Sequence, residues 1–418
     1  MIAIQRFSYE EHNKLEEVAT PMSEKTYSSI SRYLLSSVVL GVVVYFVSDY
    51  VINNVVNAQT VYEVPSTWPV SCFAYRDDNL NGKYDMADRP YAGLYVEITR
   101  PDGSIASNTS NIAGFTNFQV GRGVPDEAQF FEVGSHGVEA FAPDGWKITS
   151  DMRPNESLNT IADSNVGGKM ILTPPCAHIG VGADVQVSGV VALTDDLGHS
   201  DISLKVSGGG VQEGDVDVDS DGGYRFPSEP GRWQLTATNK KTGAETVREF
   251  EVVSASVVLS EISFEEVLPE RSGESITINF DDVTTSDTLY EIPSGYHGLD
   301  WLYWISTHAK FYGGWGYING AISGEFIAYN SSGFPGSFAS EEGFDFIGAY
   351  LTAAWPRGEQ DSAFIRAWRD GELVHEDRVA ISPNGPVYFM ADYRDVEKVE
   401  FSLENYERIV IDDISIRQ

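Results

Sequence analysis

Past residue 60, apolar side chains recur at every second position, in short runs broken by turn residues. Val70, Cys72 and Ala74 alternate with Ser71, Phe73 and Tyr75, and Leu94, Val96 and Ile98 alternate with Tyr95, Glu97 and Thr99. Pro101-Asp102-Gly103, Asn111-Ile112-Ala113-Gly114 and Pro143-Asp144-Gly145 supply the reversals. A second group holds the strands Val187–Val191, Ile202–Val206 and Trp233–Ala237, with the turn Asp219–Phe226 between them. A third opens with Ile276–Phe280 and closes with Ile409–Ile414. No long 3.6-residue periodicity appears after residue 60, so the pattern predicts an all-β fold of three tandem β-sandwich domains, at 66–176, 183–256 and 274–418. A Gly- and Pro-containing connector spans 155–182.

The front of the chain reads as an address. Lys25 and Arg32 precede the apolar run Leu34 to Val47, and Val56-Asn57-Ala58 places small residues where a signal peptidase cuts, so 1–58 is expected to be an n-region and secretion signal. The run falls short of the ~20 residues that span a bilayer. A signal anchor is the alternative, and Met22 competes with Met1 as the start. Cys72 and Cys176 are the 2 cysteines, both behind the signal, and an exported protein lets them pair, with thiolate metal binding as the weaker option. Charge sharpens the picture. Residues 1–59 hold 4 basic and 6 acidic side chains, which leaves 24 against 56, or −32, on 60–418. Such a surface repels nucleic acid and anionic membrane and attracts cations, so neither is expected as a partner once the signal is cleaved.

The richest chemistry lies in Asp77–Asp88, DDNLNGKYDMAD, which follows the calcium-loop pattern D-x-[DN]-x-[DN]-G. Asp77, Asn79 and Asn81 fall at loop positions one, three and five, and Gly82 permits the sharp turn. Lys83 offers only its backbone carbonyl, Asp85 stands at nine and Asp88 closes at twelve. A hard cation held by six to eight oxygens requires such alternate inward side chains. A solvated Asn/Gly turn uses the same residues and is the plain alternative.

Three resemblances follow from these motifs. The series FAYRDDNLNGKYDMADRPYAGLYVEI, a PDG turn, NIAGFTNF and VEAFAPDGWKIT, over about 68–170, resembles the B-repeat domains of bacterial serine-aspartate-repeat adhesins, prealbumin-like sandwiches whose loop binds calcium and stiffens a surface stalk. The resemblance implies calcium ligands at Asp77, Asn79, Asn81, Asp85 and Asp88. No serine-aspartate tail or wall-anchoring motif follows. The turn DGGYRF within about 184–255 is similar to the carboxypeptidase-regulatory-like sandwich. FDD, GLDW, GYINGAISG, AYN, AYLTAAW and a final DDI, over about 276–418, resemble a jelly-roll-like domain of secreted bacterial proteins.

Catalysis finds no support in an HExxH pair, a Gly-x-Ser-x-Gly elbow or a phosphate-cradling GK[ST] loop, and the chain is expected not to be an enzyme. Carbohydrate binding has a better motive, since sugar rings stack on Trp and Tyr while their hydroxyls need polar partners. Trp315, Tyr317 and Asn330 are the candidate ligand contacts, against the reading that most aromatics of this unit fill its core. Asp281, Asp282, Asp412 and Asp413 would form a second metal site if the first and last strands of the unit pair, or else solvate strand ends. Asp215, Asp217, Asp219 and Asp221 read as an exposed acidic strand face. The expected protein is secreted or on the cell surface. Two calcium-stiffened sandwiches form a stalk presenting a C-terminal module that binds an extracellular glycan or matrix. The alternatives are a structural surface component and an accessory piece of a polysaccharide-degrading enzyme.

Overall fold

The computed structural model describes residues 70–418 apart from 87, 119–135, 151–156, 159–161, 167–168, 172–177, 266–267, 286–287, 357–360 and 405–406. The expected secretion signal and Cys176 lie outside the described residues. Among the described residues no helix is long and apolar enough to cross a membrane.

The first module contains β1 (Val70–Arg76), β2 (Arg89–Pro90), β3 (Tyr95–Thr99), β4 (Ile105–Thr109), β5 (Phe115–Phe118), β6 (His136–Phe141), β7 (Trp146–Ile148), β8 (Ser157–Leu158), the hairpin β9 (Ala162–Val166) and β10 (Lys169–Ile171), and β11 (His178–Ala183). β1 is the hub of one layer, antiparallel to β2 and β5 and parallel to β11, while β4-β3-β6-β8 form the other. Val96 and Ile98 turn inward and Tyr95 and Thr99 outward, as the alternation requires, and pack with Cys72, Ala74, Leu94, Ile179 and Val181. Because β11 pairs with β1, the first module reaches Ala183 rather than ending at 176.

The second module comprises β12 (Gln186–Val190), β13 (Ile202–Gly208), β14 (Val211–Val216), β15 (Gly223–Pro227), β16 (Gly231–Asn239), β17 (Glu245–Val252) and β18 (Ser256–Leu259). The third comprises β19 (Ser275–Ile278), β20 (Tyr290–Glu291), β21 (Asp300–Leu302), β22 (Trp304–His308), the short helix α1 (Trp315–Asn319), β23 (Phe326–Asn330), β24 (Gly336–Ala353), β25 (Asp361–Arg369), β26 (Glu372–Ile381), β27 (Val387–Leu403) and β28 (Ile409–Arg417). The expected pairing of first and last strands is present, with Thr277 opposite Ser415. A large aromatic core containing Trp301, Trp304, Phe338, Phe344, Phe346 and Phe401 fills this module.

Two features depart from beads on a stalk. β18 runs parallel to β12 on one side and to β27 on the other, so modules two and three share a single 13-stranded sheet. The residues explain it. Val257 and Leu259 enter the core of module two, while Val258 packs against that of module three. Module one, moreover, packs against module three: Ala92 joins Tyr317, Ile318, Ala321 and Val410 in one apolar cluster.

Candidate functional site: an aspartate loop and the seam beside it

The loop between β1 and β2 folds inward on its own carboxylates. Asp77, 1% exposed, accepts the N–H of Asn81 (3.1 Å) on one oxygen and that of Gly82 (2.8 Å) on the other. The side-chain oxygen of Asn79 accepts the Asn81 N–H at 3.0 Å, and that of Asn81 accepts the Lys83 N–H at 2.7 Å. Asp88 accepts the N–H groups of Asp85 (2.7 Å) and Asp78 (3.3 Å). Asp85 accepts the amides of Asn79 and Asn81, each at 2.9 Å. Gly82 is required: φ is +73°, and a β-carbon would fall 2.6 Å from the Thr149 carbonyl oxygen.

Asp77 and Asp88 are buried, Asp85 ties Asn79 and Asn81 together at the outer part of the loop, and Asn79, Asn81 and Lys83 are exposed. Among the described residues no three acidic, His or Cys side chains are drawn together to ligating distance. The donor set itself fits calcium: three carboxylates and two amide oxygens, all hard. Their field is felt nearby. Burial together with Asp77, Asp88 and Asp85 pushes the Tyr75 phenol up to about 12. Burial likewise raises Asp88 above the ordinary carboxylate range, aided by Asp85 and Asp77 and opposed by the N–H groups it accepts.

Two arginines bracket this loop, and both reach into module three. Arg76, 3% exposed, ion-pairs with Asp78 and donates to the carbonyls of Asn319 and Ala321, the latter at 2.7 Å. Arg89 donates to the Gly324 carbonyl at 2.7 Å. The N–H groups of the same segment are taken from the other side. Asp412 accepts those of Ile322 (2.7 Å) and Ser323 (3.3 Å), and Asp281 accepts those of Glu325 (2.8 Å) and Phe326 (3.1 Å). Asp413 accepts the Ser323 hydroxyl at 2.6 Å. Three of the four aspartates expected to form a second metal site thus converge on one segment, Asp281 and Asp412 on its main chain and Asp413 on the Ser323 hydroxyl, while Asp282 turns away to the Tyr296 hydroxyl and His297. Burial and the neighbouring Asp413 push Asp412 far above its ordinary value.

Asn319, at the end of α1, completes the seam. Its carbonyl oxygen accepts the Ala92 N–H (2.9 Å), and its amide donates to the carbonyls of Ala92 (2.9 Å) and Pro383 (3.1 Å). The other residues expected to meet a ligand are structural. Tyr317 is fully buried against Tyr312 and Trp355, with its hydroxyl accepting from Arg408 at 3.2 Å. Asn330 is fully buried, accepting the Ile409 N–H (2.7 Å) and donating to the Phe334 carbonyl (2.8 Å). Trp315 lies half-buried beneath Gly93, where a β-carbon would come 2.4 Å from its ring. Gly314 and Gly316, on either side of Trp315, mark close packing: a β-carbon on Gly314 would stand 2.8 Å from the Ala354 oxygen and one on Gly316 1.7 Å from the Ala353 oxygen. Arg76, Arg89 and Asn319 escaped the sequence reading. Their one signal was that two cations flank an acidic loop in a very acidic chain. Cys72 is buried in β1.

No family model matches the chain, and no curated protein does. Among solved structures it is similar to a putative adhesin from Bacteroides ovatus, with 9% identity, 46% of this chain, 78% of that chain and a TM-score of 0.20. It is similar to BcpA, the major pilin subunit of Bacillus cereus, with 9% identity, 78% of this chain, 99% of that one and a TM-score of 0.22. The N-terminal CBM22 tandem domain of Paenibacillus barcinonensis Xyn10C gives 10% identity, 36% and 47% coverage and a TM-score of 0.22.

Proposed function

We propose that this chain is a secreted or surface-exposed, non-catalytic β protein, braced by calcium in the Asp77–Asp88 loop, that holds extracellular glycan or matrix. The observation that carries the reading is the placement of the loop. Its ends, Arg76 and Arg89, grip the carbonyls of Asn319, Ala321 and Gly324, so an ion held between Asp77, Asn79, Asn81, Asp85 and Asp88 stiffens both the first module and its seam with the third. Calcium here acts as a brace and switches nothing. A bridge between Cys72 and Cys176 belongs to the same reading, tying β1 to the strand that follows Cys176.

The test is thermal melting of the full chain in calcium and in chelator. A ligand bound only by the folded state stabilises it by about 2.7 kcal/mol at a hundredfold excess over Kd. The expected result is a melting point raised by calcium, indifferent to magnesium at equal concentration, and no longer responsive in Asp77→Asn. A melting point indifferent to chelator removes the brace. The burial of Trp315, Tyr317 and Asn330 favours one rival, a structural surface component with calcium as its only ligand. Absence of binding on a glycan array in calcium would decide for that rival.

A further inference from the structure

The seam between modules two and three contains a cleft of about 430 Å³ that plays no part in the features above. β17 contributes Arg248, the segment after β18 contributes Glu261, β26 contributes His375 and Asp377, and β27 contributes Asp392 and Arg394. Two bulges shape it. Ala367 stands opposite His375 and Trp368 opposite Leu373, so Val374 is an extra residue in β26. Phe346 faces Tyr393 while Gly348 faces Met390, so Ala391 and Asp392 of β27 stand against one residue of β24. Asp392 takes φ +52°, the left-handed region that a β-carbon opposes. Bulges re-aim side chains, and both of these border the same cleft.

The lining mixes donors with acceptors around a flat ring. His375 stacks on Tyr393 with centroids 4.2 Å apart and planes 2° from parallel. Asp377 accepts the Tyr393 hydroxyl at 2.6 Å and the Glu261 N–H at 2.9 Å, and Arg248 pairs with Asp392 at 2.7 Å across the two modules. The Nε–H groups of Arg248 and Arg394 are buried and find no acceptor among the described residues. Burial, with Arg369 and Arg248 nearby, lowers His375 to about 4, so its ring is uncharged at neutral pH. Carboxylates outnumber guanidiniums along the walls, which disfavours an anion, and the guanidiniums disfavour a metal ion. Hydroxyl groups, which both donate and accept, suit the mixture, and the C–H face of a pyranose suits a flat aromatic ring.

We propose that this cleft is a binding site for a neutral oligosaccharide, with Asp377 and Glu261 accepting its hydroxyls, Arg248 donating to its oxygens and His375 bordering its apolar face. The proposal rests on the glycan-binding reading and moves its site from Trp315, Tyr317 and Asn330 to the second seam.

The experiment presents the full chain, in calcium, with neutral gluco-, xylo-, manno- and galacto-oligosaccharides and with oligogalacturonate as an anionic probe, and follows hits by calorimetry. Wild type is compared with Glu261→Gln, Asp377→Asn, His375→Ala and, outside the cleft, Tyr303→Ala. A neutral oligosaccharide should bind, and the cleft variants should weaken it roughly tenfold or more, as loss of a charged hydrogen bond does. Tyr303→Ala should leave it unchanged. Glu261 is exposed, so Glu261→Gln decides the matter if Asp377→Asn fails to fold. Binding that survives in Glu261→Gln and His375→Ala overturns the cleft and leaves the glycan reading standing. Binding of oligogalacturonate alone overturns the neutral ligand, and binding of nothing overturns both.

Discussion

Asn319→Ala should loosen the first seam. The substitution removes three hydrogen bonds, of 2.9, 2.9 and 3.1 Å, in a site where the Asn319 side chain is 1% exposed. It leaves the Ala92 N–H and the carbonyls of Ala92 and Pro383 without this partner. Each stranded buried group costs about 1–3 kcal/mol, and partial relaxation or entry of a water recovers some of it, so a net loss of about 3 kcal/mol follows. For the first module, residues 70–183, an unfolding entropy of about 2.1 cal/mol/K per residue makes that a fall in Tm of about 12 °C. Urea unfolding followed by tryptophan fluorescence, together with differential scanning calorimetry, reads the change. Because the two bonds to Ala92 join module one to module three, module one should melt earlier, as a separate transition. Asn79→Ala, in the exposed part of the loop and measured in chelator, provides the contrast and should change stability by less than about 0.5 kcal/mol. A loss below about 1 kcal/mol for Asn319→Ala, with a single unchanged transition, would refute the idea that this amide holds the modules together.

Two further outcomes follow from the packing and the charges. Gly93 and Gly103 both hold positive φ, +89° and +85°, but a β-carbon at Gly93 strikes the Trp315 ring while one at Gly103 meets nothing within 4 Å. Gly103→Val should therefore show backbone strain alone, about 1–3 kcal/mol, and Gly93→Val should exceed it while shifting tryptophan emission to the red; equal losses would contradict the close approach. His375 is held neutral by burial and by Arg369 and Arg248, with its value lowered from 6.5 to about 4. The folded state binds fewer protons than the unfolded one between those values, so this contribution is complete above pH 6.5 and is lost as pH falls toward 4. It amounts to about 2–3 kcal/mol after allowance for partial exposure. Burial raises Asp377 and Glu261, which act in the opposite sense, so the quantity to measure is the difference in urea stability between wild type and His375→Gln across this range. Parallel pH curves would overturn the assignment.

Alternation made the strands legible because one face of each is buried. Val96 and Ile98, Val187, and Ile414 occupy the inward positions that the period-two pattern gave them. The Asp77–Asp88 loop was legible for a different reason, since its turn needs Asp, Asn and Gly at fixed spacings and its chemistry is local. Relations between modules were not. Val258 looks like any strand residue, and only the arrival of β27 beside β18 reveals that its second face is buried. Trp315 and Tyr317 were misread because a Gly-rich aromatic run is equally the signature of backbones in close contact and of an exposed loop. Asp281, Asp412 and Asp413 all face the segment 322–326, but spacing gives no sign that its N–H groups and the Ser323 hydroxyl would occupy them.

The placement of β18 also bears on the order in which the chain can acquire its structure. Ser256–Leu259 finds one partner already made, about 70 residues earlier at β12, yet the other, Val387–Met390, is made about 130 residues later. Until then the main-chain N–H and C=O groups on one side of β18 have nothing to bond but water, another chain or a chaperone. A polypeptide cut after residue 259 would retain that bare strand and tend to associate through it, so the second module is poorly suited to life as an independent fragment. Folding should accordingly finish in a slow step, as the last strands close over a segment that has been waiting for them.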